Sequence, residues 1–164
     1  MTPDQQSALE SVVGRQLSPE EIAALAPFLA VRNDVQIAAI LSVGRVRLVE
    51  NMVTERGVLA ALGPVEGDAL LTALENLGAP ETLPTAAQPY HGAICRGVSW
   101  LKAGGLDMGS PTVRGLLDLM SAHSIIAPGH AAALKQLGEH PDPIHYDAIS
   151  DALNIAEGRL TLGG

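Results

Sequence analysis

Apolar residues recur at helical spacing through most of the chain, and Pro, Gly and short polar clusters cut that pattern into brief pieces. In "LSPEEIAAL" Ser18 stands where an N-cap belongs and Pro19 presets φ for a first turn. Glu20 and Glu21 face the positive end of the helix dipole, and Ile22, Leu25 and Leu29 fall on one face. Pro27 removes a backbone donor and crowds the preceding turn, which predicts a kink or a stop. Thr2 and Pro3 repeat the device at the head of a helix reaching about Val13. Asn33 or Asp34 opens another, with Ile37, Ile40 and Leu41 inward.

The stretch "TERGVLAALGPVEGDALLTALENLG" reads as two helical arms around a Gly-Pro break. Thr54 caps an arm striped by Val58, Leu59 and Leu62. Gly63 ends it, and Pro64 begins a second arm striped by Leu70, Leu71, Leu74 and Leu77. "GAPETLPTAAQP" is rich in proline and reads as an ordered surface loop or a hinge. Beyond it, Ile94, Val98 and Leu101 form one stripe, and Ser110 and Pro111 open a helix with Val113, Leu116, Leu117 and Met120 inward. Pro128 starts the next helix, and the last has Tyr146, Ile149, Ala152 and Leu153 inward.

One stretch breaks the helical period. In "VGRVRLVENMV" Val43, Arg45, Arg47 and Val49 alternate with Val46 and Leu48, the spacing of a short strand or extended arm. Such a strand finds no evident partner in the rest of the sequence, unless another subunit supplies one, so the stretch reads as helix or as an extended arm. The pattern therefore predicts an all-α fold of about seven short helices arranged as hairpins, with one short extended segment near residues 43–50. It is read as a single helical domain over 1–164, in which the Pro-rich loop 79–89 joins lobes 1–78 and 88–154.

Composition strengthens the helical reading. Apolar residues make up 47% of the chain but aromatics only 2%, so the core is built from Leu, Ile, Val and Ala. Alanine is the best helix former, whereas a sheet would draw on β-branched and aromatic side chains. The formal charge is −8, which repels nucleic-acid phosphates and anionic lipid heads. Arg45 and Arg47 form the nearest approach to a basic cluster, without interleaved aromatics, so no direct nucleic-acid partner is expected. The longest apolar run, "IAALAPFLAV", is about half of what a bilayer crossing needs, so no membrane partner is expected either. The opening "MTPDQQ" has neither a basic nor an apolar segment, and a protein made in the cytoplasm is expected.

Little in the sequence carries chemistry. "HPDPIHYD" sets His140, Asp142, His145 and Asp147 close together, and such nitrogen and oxygen donors suit a divalent metal. A polar loop leading into a capped helix explains the same residues, so no metal or other cofactor is expected. Cys95, the single cysteine, falls inside a helical apolar pattern where the thiol acts as a small hydrophobe. His123 and His130 straddle a Pro-started boundary and promise no shared face. No nucleophile elbow or phosphate-cradling loop occurs, and no enzyme activity is expected. Tyr90 and Trp100 are the side chains best able to anchor a partner, with Arg45 and Arg47 as charged interface candidates.

"MVTERGVLAALGPVEGDALLTALE", "GVSWLKAGGLDMGSPTVRGLLDLM" and "ALKQLGEHPDPIHYDAISDALN" together resemble a broad group of small, mostly uncharacterised proteins of tailed bacteriophages. The shared motifs are structural: a hairpin with a Gly-Pro turn, the "GLDMGSP" helix entry and the "ISDALN" helix, spanning Asn51 to Asn154. The chain departs from that group at "SAHSIIAPGH", where acidic residues often replace His130. The resemblance transfers no catalytic residue. It implies a non-enzymatic virion component, a minor tail subunit or adaptor made in the host cytoplasm, with other tail proteins and further copies of itself as partners. An accessory phage protein, either an assembly chaperone or an inhibitor of a host protein, is the alternative; a metal-dependent enzyme using the His140–Asp147 cluster is the remote one.

Overall fold

The computed structural model describes residues 1–159. In chain order they form α1 (Pro3–Val13), α2 (Pro19–Ala30), α3 (Asp34–Leu41), β1 (Val46–Leu48), β2 (Met52–Val53), α4 (Glu55–Leu62) and α5 (Pro64–Glu75). There follow α6 (His91–Ala103), β3 (Leu106–Asp107), α7 (Pro111–Ala122), α8 (Pro128–Gln136), β4 (Glu139–Pro141) and α9 (Tyr146–Ala156). The fold is mostly helical, as the apolar spacing predicts. Nine α-helices rather than about seven stand among the described residues, five of them opening on a proline. None of the described helices is long and apolar enough to cross a membrane.

Two local expectations are corrected. Of the kink or stop expected at Pro27, the stop does not occur: helix α2 runs on through it and ends a turn later, at Ala30. The extended segment does find partners in its own chain: β1 pairs with β4, and β2 pairs antiparallel with β3, Met52 opposite Asp107 and Val53 opposite Leu106. Those partner strands lie beside Gly104, Gly105 and Gly138 and are too short to leave a period-two pattern.

The chain divides into two compact units, residues 1–46 with 141 onward, and residues 47–140. In the first, α1 and α3 both pack on α9, and α2 packs on α3. Their stripes meet in a core that includes Leu9, Leu25, Ile37, Leu41, Ile149 and Leu153. Thr2 with Gln5 and Ser18 with Glu21 each form a reciprocal capping box, and the Asn33 side chain accepts from the Gln36 amide. Tyr146, expected inward, is 47% exposed, with its ring against His145.

The second unit is built on α4–α8. α4 packs on α5 and α8, and α7 packs on α6 and α8. A Cβ on Gly67 would lie 2.9 Å from the Leu59 Cα, so the two arms of the α4–α5 hairpin touch backbone to backbone there. The Pro-rich stretch 79–89 lies inside this unit, forms two short 3-10 turns and buries Leu83 and Ala87 in the core. Three chain segments knot together at one end. The Asn51 amide donates to Asp107 Oδ1 at 2.9 Å and its side chain donates to the Leu137 carbonyl at 2.6 Å. The Val49 amide reaches the Gly138 carbonyl, and Arg114 donates to the Lys135 carbonyl while pairing with Glu139. Among the aliphatic side chains of this core a void of about 30 Å³ remains.

Candidate functional site

Helices α6 and α7 run antiparallel: Tyr90, just before α6, stacks on His123, just after α7, with ring centroids 5.9 Å apart. Gly97 lets them close together, since a Cβ there would lie 2.6 Å from Leu116 Cδ2. On the outer side the pair leaves a groove of about 320 Å³. Ala93, Arg96 and Trp100, at i, i+3 and i+7 of α6, line one side, and Gly115, Leu116 and Leu119 of α7 line the other. Ala93 and Gly115 keep its floor low; a Cβ on Gly115 would meet nothing within 4 Å. Trp100, the single tryptophan, is 51% exposed along it. The Arg96 guanidinium makes no ion pair or hydrogen bond with another described residue and is the only charged side chain lining the groove.

The remaining interface candidates part company. Tyr90 is exposed at one end of the α6–α7 pair. Arg45 belongs to the first unit, where it donates to the Val13 carbonyl at 3.0 Å and holds the Asp142 carboxylate at 3.0 Å, so its guanidinium is a strut. Arg47 lies exposed on β1.

Of the candidate metal ligands, Asp142 is engaged by Arg45. His145 Nδ1 lies 2.9 Å from Asp147 Oδ2 at the head of α9, where His145 is the N-cap residue but its side chain makes no cap bond. His140 is exposed on β4 and has contacts of its own. Among the described residues no group of three or more His, Cys, Asp or Glu side chains is placed to hold a metal ion. His130 Nε2 lies 3.1 Å from Glu66 Oε2, joining the heads of α8 and α5.

Cys95 has a neighbour that the apolar pattern concealed. His91, one turn earlier on α6, brings Nε2 to 3.4 Å from the Cys95 Sγ. The same Nε2 lies 2.7 Å from the Gly78 carbonyl, an acceptor only, so it carries the proton and donates there. That bond ties α6 to the start of the Pro-rich stretch.

Sequence reasoning singled out Trp100 but missed Arg96, Gly115 and Leu119. The signal was present in the i, i+3, i+7 spacing of Ala93, Arg96 and Trp100, a second stripe on the face adjoining that of Ile94 and Leu101. No protein-family model, curated protein or solved structure matches this chain.

Proposed function

We propose that this chain is a non-enzymatic binding subunit of a tailed-bacteriophage virion, a minor tail or tail-associated adaptor that seats other virion proteins. The observation that carries the binding role is Trp100. The only tryptophan of an aromatic-poor chain lies half exposed along an open apolar groove, while the core beneath is left to aliphatic side chains. Large aromatics at a surface are the usual anchors of protein interfaces. The void in the core holds about 30 Å³ and is lined by apolar groups, which suits packing rather than the capture of a substrate. The virion as the place of work rests on the resemblance of residues 51–154 to phage proteins.

Mass spectrometry of gradient-purified particles from cells producing this chain tests the reading. Stoichiometric recovery with the tail proteins is expected. Absence from mature particles, with recovery from assembly intermediates or host complexes, overturns it in favour of an accessory role.

A further inference from the structure

The geometry points to the occupant of the α6–α7 groove: a helix of a partner protein with an aliphatic stripe flanked by carboxylates. The inference deepens the binding role proposed above and does not depend on the virion as its location. Two antiparallel helices with outward residues spaced i, i+3 and i+7 present parallel ridges, and a third helix fits the valley between them. The floor at Ala93 and Gly115 carries almost no side chain, which admits the occupant's apolar groups between Trp100 and Leu119.

Charge selects the kind of helix. The chain carries eighteen acidic residues against ten Lys and Arg, yet among the described residues the groove is lined by no carboxylate and one arginine. Other charges on these two helices are already satisfied: Lys102 pairs with Glu75, Asp118 with Lys135 and Arg114 with Glu139. Of the charged side chains on these two helices, Arg96 alone has no partner among the described residues, and its guanidinium fork matches a carboxylate in two-point geometry. An acidic helix therefore gains at Arg96, and a basic one meets repulsion there.

The test uses the full chain and two helix-stapled peptides with the same leucine stripe, one flanked by glutamates and one by lysines. Trp100 lies in the groove, so its fluorescence reports occupancy directly. Saturable binding of the glutamate peptide at least tenfold tighter than its lysine twin is expected, with the preference reversed in Arg96→Glu. Gly115→Leu should abolish binding while circular dichroism stays unchanged, because that position opens to solvent and leucine is the better helix former. Equal binding of both peptides, no binding of either, or binding indifferent to Gly115→Leu overturns the inference. Concentration-dependent dimerisation abolished by Gly115→Leu would overturn it in favour of a second copy as the occupant. Particle analysis separates the two readings. A chain absent from virions that still prefers the glutamate peptide refutes the location alone, and a virion protein without the preference refutes the groove alone.

Discussion

Arg32 Nη1 lies 2.7 Å from Glu157 Oε2, joining the turn after α2 to the end of α9. Arg32 holds a positive φ of 52°, an uncommon conformation for a side chain of this size. From that turn it also donates to Asn154 Oδ1 at 2.9 Å and approaches Asp34. Gln5 donates to the other Glu157 oxygen at 3.0 Å, and these donors together hold the Glu157 carboxyl below its ordinary range. Arg32→Ala removes the bond to Asn154 and the approach to Asp34, and leaves Glu157 with Arg159, whose Nε lies 3.2 Å from Oε2, as its remaining ion-pair partner. It should lower the thermal midpoint of the first unit by about 3–6 °C. Glu157→Gln should do less, and the double variant should show clear non-additivity in a thermal double-mutant cycle.

The same unit contains the strongest pH handle. Arg15 donates to both oxygens of Glu21, at 2.8 and 2.5 Å, and the Ser18 amide adds a third bond. Arg15 first, and then that amide, hold the Glu21 carboxyl down at about 2, against an ordinary value near 4.5. A folded-state value below the unfolded one gives stability that is whole above about pH 5 and is lost as pH falls toward 2. Denaturant midpoints measured across that window should fall with acid. In Glu21→Gln the fall should be shallower, with a lower plateau at neutral pH. A profile unchanged by the substitution would show that this carboxylate is not coupled to folding.

Glycines in the second unit separate backbone contacts from ornament. A Cβ on Gly109 would run into the carbonyl of Val49, and one on Gly138 into the backbone of Met108. Neither obstacle is the free end of a side chain, so the knot of residues 49–51, 107–110 and 135–139 would have to open. Gly109→Ala and Gly138→Ala should each cost about 3 kcal/mol or more in chemical denaturation. Gly92→Ala, on α6 with open space around it, should be neutral or add up to about 1 kcal/mol.

Those glycines mark where the sequence ceased to be legible. Caps, prolines and apolar stripes act over one turn, and Thr2, Ser18, Asn33, Pro64, Pro111 and Pro128 all stand at helix starts as the local pattern predicts. The two-stranded pairings join segments far apart in the chain and rest on two or three residues each, too few to show a period. Arg45 illustrates the same limit. An arginine beside a second arginine reads as a basic surface, and only tertiary contact reveals the Val13 carbonyl and the Asp142 carboxylate that hold it. The groove was half legible: Trp100 stood out as the single tryptophan, whereas no local pattern marks Gly115 as part of it.

Leu117 and Leu119 divide folding from recognition on a single helix. Leu117 is 5% exposed and borders the 30 Å³ void in the core of the second unit, and Leu119 faces the groove. Removing a buried leucine loses its transfer free energy and adds the cavity it leaves. At Leu117 that new space merges with a void already present, and the aliphatic neighbours have no larger ring to swing into it. Leu117→Ala should therefore cost about 3–5 kcal/mol, toward the upper end for such changes. Leu119→Ala should stay within about 1 kcal/mol, since its side chain is partly solvated in the folded chain. Peptide affinity should follow the opposite order: Leu119→Ala weakens binding of the glutamate-flanked helix, while Leu117→Ala, at a temperature where it remains folded, leaves it nearly unchanged. Equal loss of affinity in both would mean that the groove and the core respond as one body, and that the wall at Leu119 has no separate role in recognition.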